Sequence, residues 1–366
     1  MVDALILGGG LAGSAAACLI ARGGKKVSLL ERETGPHHKV CGEFLSIEAI
    51  NHLHQLGVDP LALGAVPIGR IRLVQGHCEI EAALPFTALG LSRYTLDEAL
   101  IRKAEMSGAH IQRGVRVLEL NGHIARTAQG EYEGRQVLLA TGKLPIREQG
   151  VALPGRIEDG FIGFKMHYRL APIAAEQLAG TIMLALFNGG YAGLQLVGRG
   201  RANLCLLLRR KTFLRLGGEW GAVCEWLESS PIVQRMLANA EPLFEKPVAI
   251  ANLTYGRPSR DHTSAKVLSL GDRWAMTPSL TGDGMAIALR SAFLAAHCVL
   301  SGHDAPIYHN LLASQTHRQI ARAMTIQNGL ELPVLRFAAY YLARLHPKIL
   351  TRVVEATRLP FWHNTL

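Results

Sequence analysis

The 366-residue sequence is poor in aromatic side chains (6%) and in charge (19%). No apolar run in it approaches the length that a transmembrane helix needs. The apolar opening VDALIL runs straight into glycines, without the charged and apolar regions of a leader. Its six cysteines, Cys18, Cys41, Cys78, Cys205, Cys224 and Cys298, form no CxxC pair and no secretory spacing, so a reduced, cytoplasmic protein is expected. There is no GxSxG, no HExxH and no P-loop. His37-His38 is a doublet without spaced partners, so no metal site is expected. No nucleic-acid module or aromatic-basic interleave accompanies the net charge of +10, which leaves anionic lipid or an acidic substrate open. Internal repeats and low-complexity linkers are missing too, so domains should be interleaved rather than strung together.

Glycine is what the chain has in surplus, with Gly 38 in the composition. That share is well above the usual one, and no G-X-Y period accompanies it, so the glycines point to backbone turns close to a ligand. The first thirty residues read strand (Ala4–Leu7), glycine turn, Ala-rich helix (Ser14–Ala21) and strand (Lys26–Glu31). Helices are expected over Ile47–Leu56 and over Thr95–Ser107, the latter capped by Thr95 with Glu98 three residues on. Residues 71–85 and 161–208 alternate like antiparallel strands. A short buried strand (Lys266–Leu270), a helix over 284–300 and a basic helical end complete the pattern. The expected class is α/β, with a mostly antiparallel sheet inserted into a discontinuous nucleotide-binding domain.

Gly8-x-Gly10-x-x-Gly13 lies between strand and helix, with Leu11 and Ala12 opening the helix. Glu31, followed by Arg32, closes the next strand eighteen residues after Gly13. Gly8 permits the tight turn, Gly10 a close approach to pyrophosphate, and Gly13 close helix–strand packing. The helix N-terminus offers amides to phosphate, and Glu31 can accept ribose hydroxyls. An acid at this position favours FAD or NAD(H) over a 2′-phosphate. Far downstream, Gly271-Asp272, Pro278 and Gly282-Asp283-Gly284-Met285 open a second helix. There an Asp can bind a polyol, and helix amides can meet the flavin edge that gains negative charge on reduction.

Together these motifs resemble the p-hydroxybenzoate hydroxylase superfamily of FAD enzymes, and within it the geranylgeranyl reductase-like branch. Lys39-Val-Cys41-Gly42-Glu43 resembles that branch's Cys-Gly segment beside the flavin, and Ser92-Arg93 with Leu96-Asp97 resembles the segment whose Arg approaches FAD. Ala140-Thr141-Gly142 resembles the strand end closing the FAD domain, and Val115 matches the position that meets adenine. Asn188-Gly-Gly-Tyr191 resembles the branch's cavity-facing segment. The resemblance implies a Rossmann-like FAD-binding domain (1–68, 90–155, 256–305), an α+β substrate domain (69–89, 156–255) and a helical C-terminal region (306–366). Many members carry Gly-x-Asp-Gly where this chain has Ala140 to Arg147, which argues against conventional NAD(P)H handling, although the resemblance implies NAD(P)H as a reductant. The four tryptophans (Trp220, Trp226, Trp274, Trp362) do not form the WxWxIP segment of the superfamily's halogenases.

Cys41 either delivers a proton to a substrate carbon or shapes the pocket. Glu43 either orients cofactor or substrate or serves as a helix N-terminal acid. Lys165 and His167 share one face of a strand, either solvated or anchoring an acidic or phenolic substrate. Tyr191 is either a cavity wall or part of a hairpin turn. The C-terminal helices, with Arg336, Arg344, Lys348 and Arg352, lie on anionic lipid, cover the cavity, or pack with a solvated basic face. The expected activity is FAD-dependent redox chemistry on an apolar or aromatic small molecule, with hydroxylation placed ahead of double-bond reduction. A maturation factor acting on a protein or carrier-bound group is the rival of a different class.

Overall fold

The computed structural model describes residues 1–144, 146–148, 160–198, 200–256 and 266–360. The chain forms two sheets, each with its own apolar layer. In the first, Val2–Leu7 is flanked by Val27–Glu31 on one side and Gly130–Leu139 on the other. His110–Arg113 and Val267–Ser269 extend it outward, every pairing being parallel. Strands buried on both faces need continuous apolar runs, which VDALIL and VSLLE provide. An antiparallel meander, Val117–Asn121, Ile124–Thr127 and Gly130–Leu139, hangs from the same sheet.

Two Ala-rich helices, Leu11–Arg22 and Gly284–Ser301, pack together against this sheet, their small side chains allowing close approach. Gly284–Ser301 is also the one described helix long and apolar enough to cross a membrane, and most of it is buried in this core. The helix expected from Thr95 starts earlier, at Arg93, and runs to Met106. Ser92 caps it, its Oγ accepting from the Tyr94 amide at 3.3 Å. Glu98 is drawn away to Arg102 and Arg113, so the capping box does not form.

The second sheet orders its strands 241–242, 161–169, 201–209, 190–196, 180–187, 66–75, 78–90 and 44–45, with Val248–Leu253 also paired to Phe161–Arg169. Only 180–187 against 66–75 is parallel. The sheet thus takes in residues 66–68 and 90 and Phe44–Leu45, all of which the sequence pattern assigns to the nucleotide domain. The expected boundary at 155/156 and Trp362 lie outside the described residues. Helices Ala305–Glu331, Pro333–Leu345 and Lys348–Ala356 form the C-terminal region.

That region is tied to the core through Arg290, which donates to His52 Nε2 (3.2 Å), Gln315 Oε1 (2.8 Å) and the Pro360 carbonyl (3.0 Å). Burial, reinforced by the Arg290 charge, pushes the His52 pKa down to about 4. Folded His52 is therefore neutral where an unfolded chain already binds a proton. Its contribution is complete above about pH 6.5 and is lost as pH falls from there toward 4. Urea unfolding at pH 7 and pH 4.5 should show His52→Gln losing about 2–3 kcal/mol less stability on acidification than the parent. Equal losses would show that His52 titrates as it does in the unfolded chain.

Candidate active site

A cavity of ≈ 880 Å³ runs between the two sheets. At its nucleotide end, the φ of Gly8 is +111°, and a Cβ there would sit 2.5 Å from the Ala140 carbonyl oxygen. A Cβ on Gly13 would lie 1.9 Å from the Gly8 oxygen, so only glycine lets this helix start so close to its strand. Glu31 accepts from the Gly9 amide at 2.6 Å and the Glu33 amide at 2.9 Å, which fixes its carboxylate beside the turn. Gly8, Gly10, Leu11, Ala12, Glu31, Arg32, Val115, Ala140, Thr141 and Gly142 all line the cavity. Gly13 does not; its role is packing.

Next to Gly10 lie two cations held by one acid. Asp97 receives a two-pronged bond from Arg93 (2.6 and 2.9 Å) and the Lys39 ammonium at 2.8 Å. Burial works to raise the Asp97 pKa, but Arg93 and Lys39 overcome it and hold the carboxyl down at about 2. A Cβ on Gly10 would stand 3.4 Å from Lys39 Nζ and 3.7 Å from Arg93. The helix beginning at Leu11 has no side-chain cap, so its first amides and both cations face the same space.

At the other end, Gly271, Asp272, Gly282, Gly284 and Met285 line the cavity, while Pro278 does not. Gly282 has φ +72°, and a Cβ on it would press the Phe44 ring at 2.8 Å. The helix from Gly284 likewise has no side-chain cap. Beside it Asp283 is buried, which pushes its pKa up to about 7, with Arg358, 2.6 Å away, pulling against that rise.

The feature that sequence reasoning does not assemble is centred on Glu43. This residue has φ +59° and is fully buried. Its Oε1 accepts from Lys165 Nζ (2.5 Å), the Arg93 amide (2.7 Å) and Ser92 Oγ (3.2 Å), and its Oε2 from His167 Nε2 (2.7 Å). Burial favours the neutral acid, yet the His167 hydrogen bond and the Lys165 charge keep its pKa below the usual carboxylate range. Lys165 and His167 are therefore neither a solvated face nor cavity anchors: both are buried, absent from the cavity wall, and turned onto Glu43. Phe161–Arg169 is buried along its length except at Arg169, so neither face of it meets water at Lys165 or His167.

His38, Glu43 and His167 also come within 4.8 Å of one another, so His38 has spaced partners after all. The Lys165 ammonium occupies the carboxylate, however, and burial lowers the His38 pKa to about 4 among like charges. This is a charge-compensated core cluster, a poor cation site.

Three further side chains fix the loop around it. Asn203 Nδ2 donates to the carbonyls of Cys41 (3.0 Å) and Gly42 (2.9 Å), Gln195 Nε2 to that of Glu43 (2.8 Å), and Lys143 Nζ to that of Val40 (3.1 Å). Lys143 belongs to the segment that departs from the superfamily pattern, and here it clamps the Cys-Gly loop. Cys41 and Gly42 line the cavity, and the Glu43 amide lies 3.4 Å from Cys41 Sγ. Asn203 and Gln195 carry a weak sequence signal: each is a lone amide in an apolar strand.

The sequence profile of the FAD binding domain matches residues 1–136. The protein is an FAD-dependent oxidoreductase. The chain is 25% identical over 359 residues to the menaquinone reductase of Mycobacterium tuberculosis, covering 88% of this chain and 83% of that one. It is 27% identical over 311 residues to protein FixC of Escherichia coli, covering 78% and 69%. Its fold is similar to that of the flavin-dependent brominase Bmp2 (TM-score 0.78, 20% identity, covering 97% of this chain and 93% of the other). It is similar in the same way to a flavoprotein/dehydrogenase from Cytophaga hutchinsonii (TM-score 0.78, 18% identity, again 97% and 93%).

The donor set fits FAD. Two uncapped helix starts face one cavity, two cations sit beside the first, and Glu31 and Asp272 are spaced along it for hydroxyl groups. Arg93→Ala should weaken FAD binding by about 1.5–3 kcal/mol, roughly tenfold to a hundredfold, in fluorescence titration of the apoprotein. Unchanged affinity would remove Arg93 from the cofactor site.

Proposed function

We propose that the protein reduces a carbon–carbon double bond in an apolar, lipid-soluble molecule, the chemistry of the geranylgeranyl reductase-like branch. The observation that carries this reading is the lining beyond the cofactor end, which is mainly aliphatic (Ile71, Leu84, Ile182, Leu184, Ile250 and Val354), with Tyr191 and Tyr255 set into it and Cys41 at the junction. Such a wall favours a flexible hydrocarbon over a charged or strongly polar substrate. The name of the menaquinone reductase relative points in the same direction. All six cysteines are free, which supports a reducing compartment.

Bound and reduced, FAD supplies a hydride. The Cys41 thiol delivers a proton to the neighbouring carbon as the π bond breaks, and water returns a proton to sulfur. Tyr191 and Tyr255 form part of the wall, and burial raises both phenols well above their ordinary pKa, so they stay neutral. Tyr191 is bonded through its hydroxyl to Ser279. Val354 and Arg358 come from the C-terminal region and help close the cavity to water; Arg358 is anchored on the Thr281 carbonyl at 2.5 Å.

The test is an incubation of the chemically reduced holoprotein, freed of excess reductant, with menaquinone, anaerobically and in an aerated parallel, read by mass spectrometry. A product richer by two hydrogens that persists after reoxidation in air is expected; a gain of two hydrogens that air reverses would show quinol formation and overturn the reading. A product that forms only with oxygen and carries an added oxygen atom would overturn the reading in favour of hydroxylation. Cys41→Ala should keep its FAD and lose turnover by about 10²–10⁴-fold, the usual contribution of a positioned proton donor. Unchanged turnover would take Cys41 out of the mechanism.

A further inference from the structure

The helix Pro333–Leu345 is assembled inside out. Tyr340 and Ala343 are buried against Ile80 of the second sheet, and Arg336 reaches the Phe187 carbonyl at 3.0 Å. The opposite side carries Val334, Phe337, Ala338, Tyr341, Leu342 and Leu345. That spacing, i, i+3, i+4, i+7, i+8 and i+11, is one continuous helical stripe. A stripe of this kind normally faces a core, yet Val334 is 78% exposed, Phe337 64% and Leu345 58%. An apolar patch of this size needs an occupant.

Charge selects it. From Leu332 to Val354 the sequence has no Asp or Glu, and while Arg336 is turned inward, Arg344, Lys348 and Arg352 are exposed within it. A second copy docking through the same face would set these cations against themselves, because a two-fold interface pairs each patch with its own image. An anionic lipid surface satisfies both features, taking the aromatic and aliphatic side chains into its boundary and the cations at its headgroups. The next helix, Lys348–Ala356, contributes Val354 to the cavity wall, so the exposed face is continuous in sequence with the closure of the site.

We infer that Pro333–Leu345 is a docking helix for anionic membrane, seating the cavity at the surface where a lipid-soluble substrate resides. The substrate half of that statement rests on the proposed function; the docking half does not.

Co-sedimentation of the full-length, FAD-loaded protein with phosphatidylcholine vesicles, with and without phosphatidylglycerol, tests it without reference to turnover. Binding to the anionic vesicles is expected, falling about tenfold on neutral vesicles or at high salt. Two double variants, Phe337→Ser with Leu342→Ser and Arg344→Glu with Lys348→Glu, should each lose at least about tenfold in binding while keeping the parent's FAD content. Protein left in the supernatant with both vesicle types would overturn the inference, as would equal binding to neutral and anionic vesicles. A concentration-dependent dimer that the apolar double variant breaks, with no vesicle binding, would assign the face to a second copy instead.

Discussion

A single buried carboxylate organises the centre of this protein. Glu43 gathers an ammonium, an imidazole, a hydroxyl and a backbone amide from separate parts of the chain. A charge with no solvent exposure is tolerated only when it is paired and fully hydrogen-bonded, so each partner is constrained as strongly as Glu43 itself. Through Ser92 and the Arg93 amide it fixes the start of the helix that carries Arg93 and Asp97. Through Lys165 and His167 it locks the inner strand of the second sheet. The Cys-Gly loop has nowhere else to go, and its left-handed Glu43 backbone is held by these bonds.

The cofactor end obeys a related economy. Asp97 keeps Lys39 and Arg93 together beside Gly10, where alone they would repel. A carboxylate held near a pKa of about 2 stays ionised at any working pH, so the cationic pair stays assembled. The uncapped helix starts at Leu11 and Gly284 then add two positive dipole ends to one cavity.

These two ends differ in how legible they are. The fingerprint Gly8, Gly10, Gly13 and Glu31 lies within one strand–helix–strand unit, so local spacing carries the whole mechanism. The Glu43 cluster does not: Lys165 is 122 residues away and His167 is 124. Alternation along 163–170 places Lys165 and His167 on one face, but period two alone cannot say whether that face meets water, a cavity or a buried acid. The cap at Ser92 is hidden in the same way, because Thr95 with Glu98 looks like a capping box until Arg102 and Arg113 take the glutamate. In the C-terminal region, the basic, apolar composition is plain in the sequence, whereas which side of Pro333–Leu345 faces inward depends on its packing against Ile80.

The central claim is that Glu43 and Lys165 act as one coupled element holding the Cys-Gly loop between the sheets. A double-mutant cycle on unfolding of the FAD-loaded protein tests it most directly, with Glu43→Gln, Lys165→Met and both together. Each single change should cost about 3–5 kcal/mol by leaving its partner buried without compensation, and the double variant should cost far less than their sum. Additive losses would contradict the account, showing that the two side chains stabilise the fold independently.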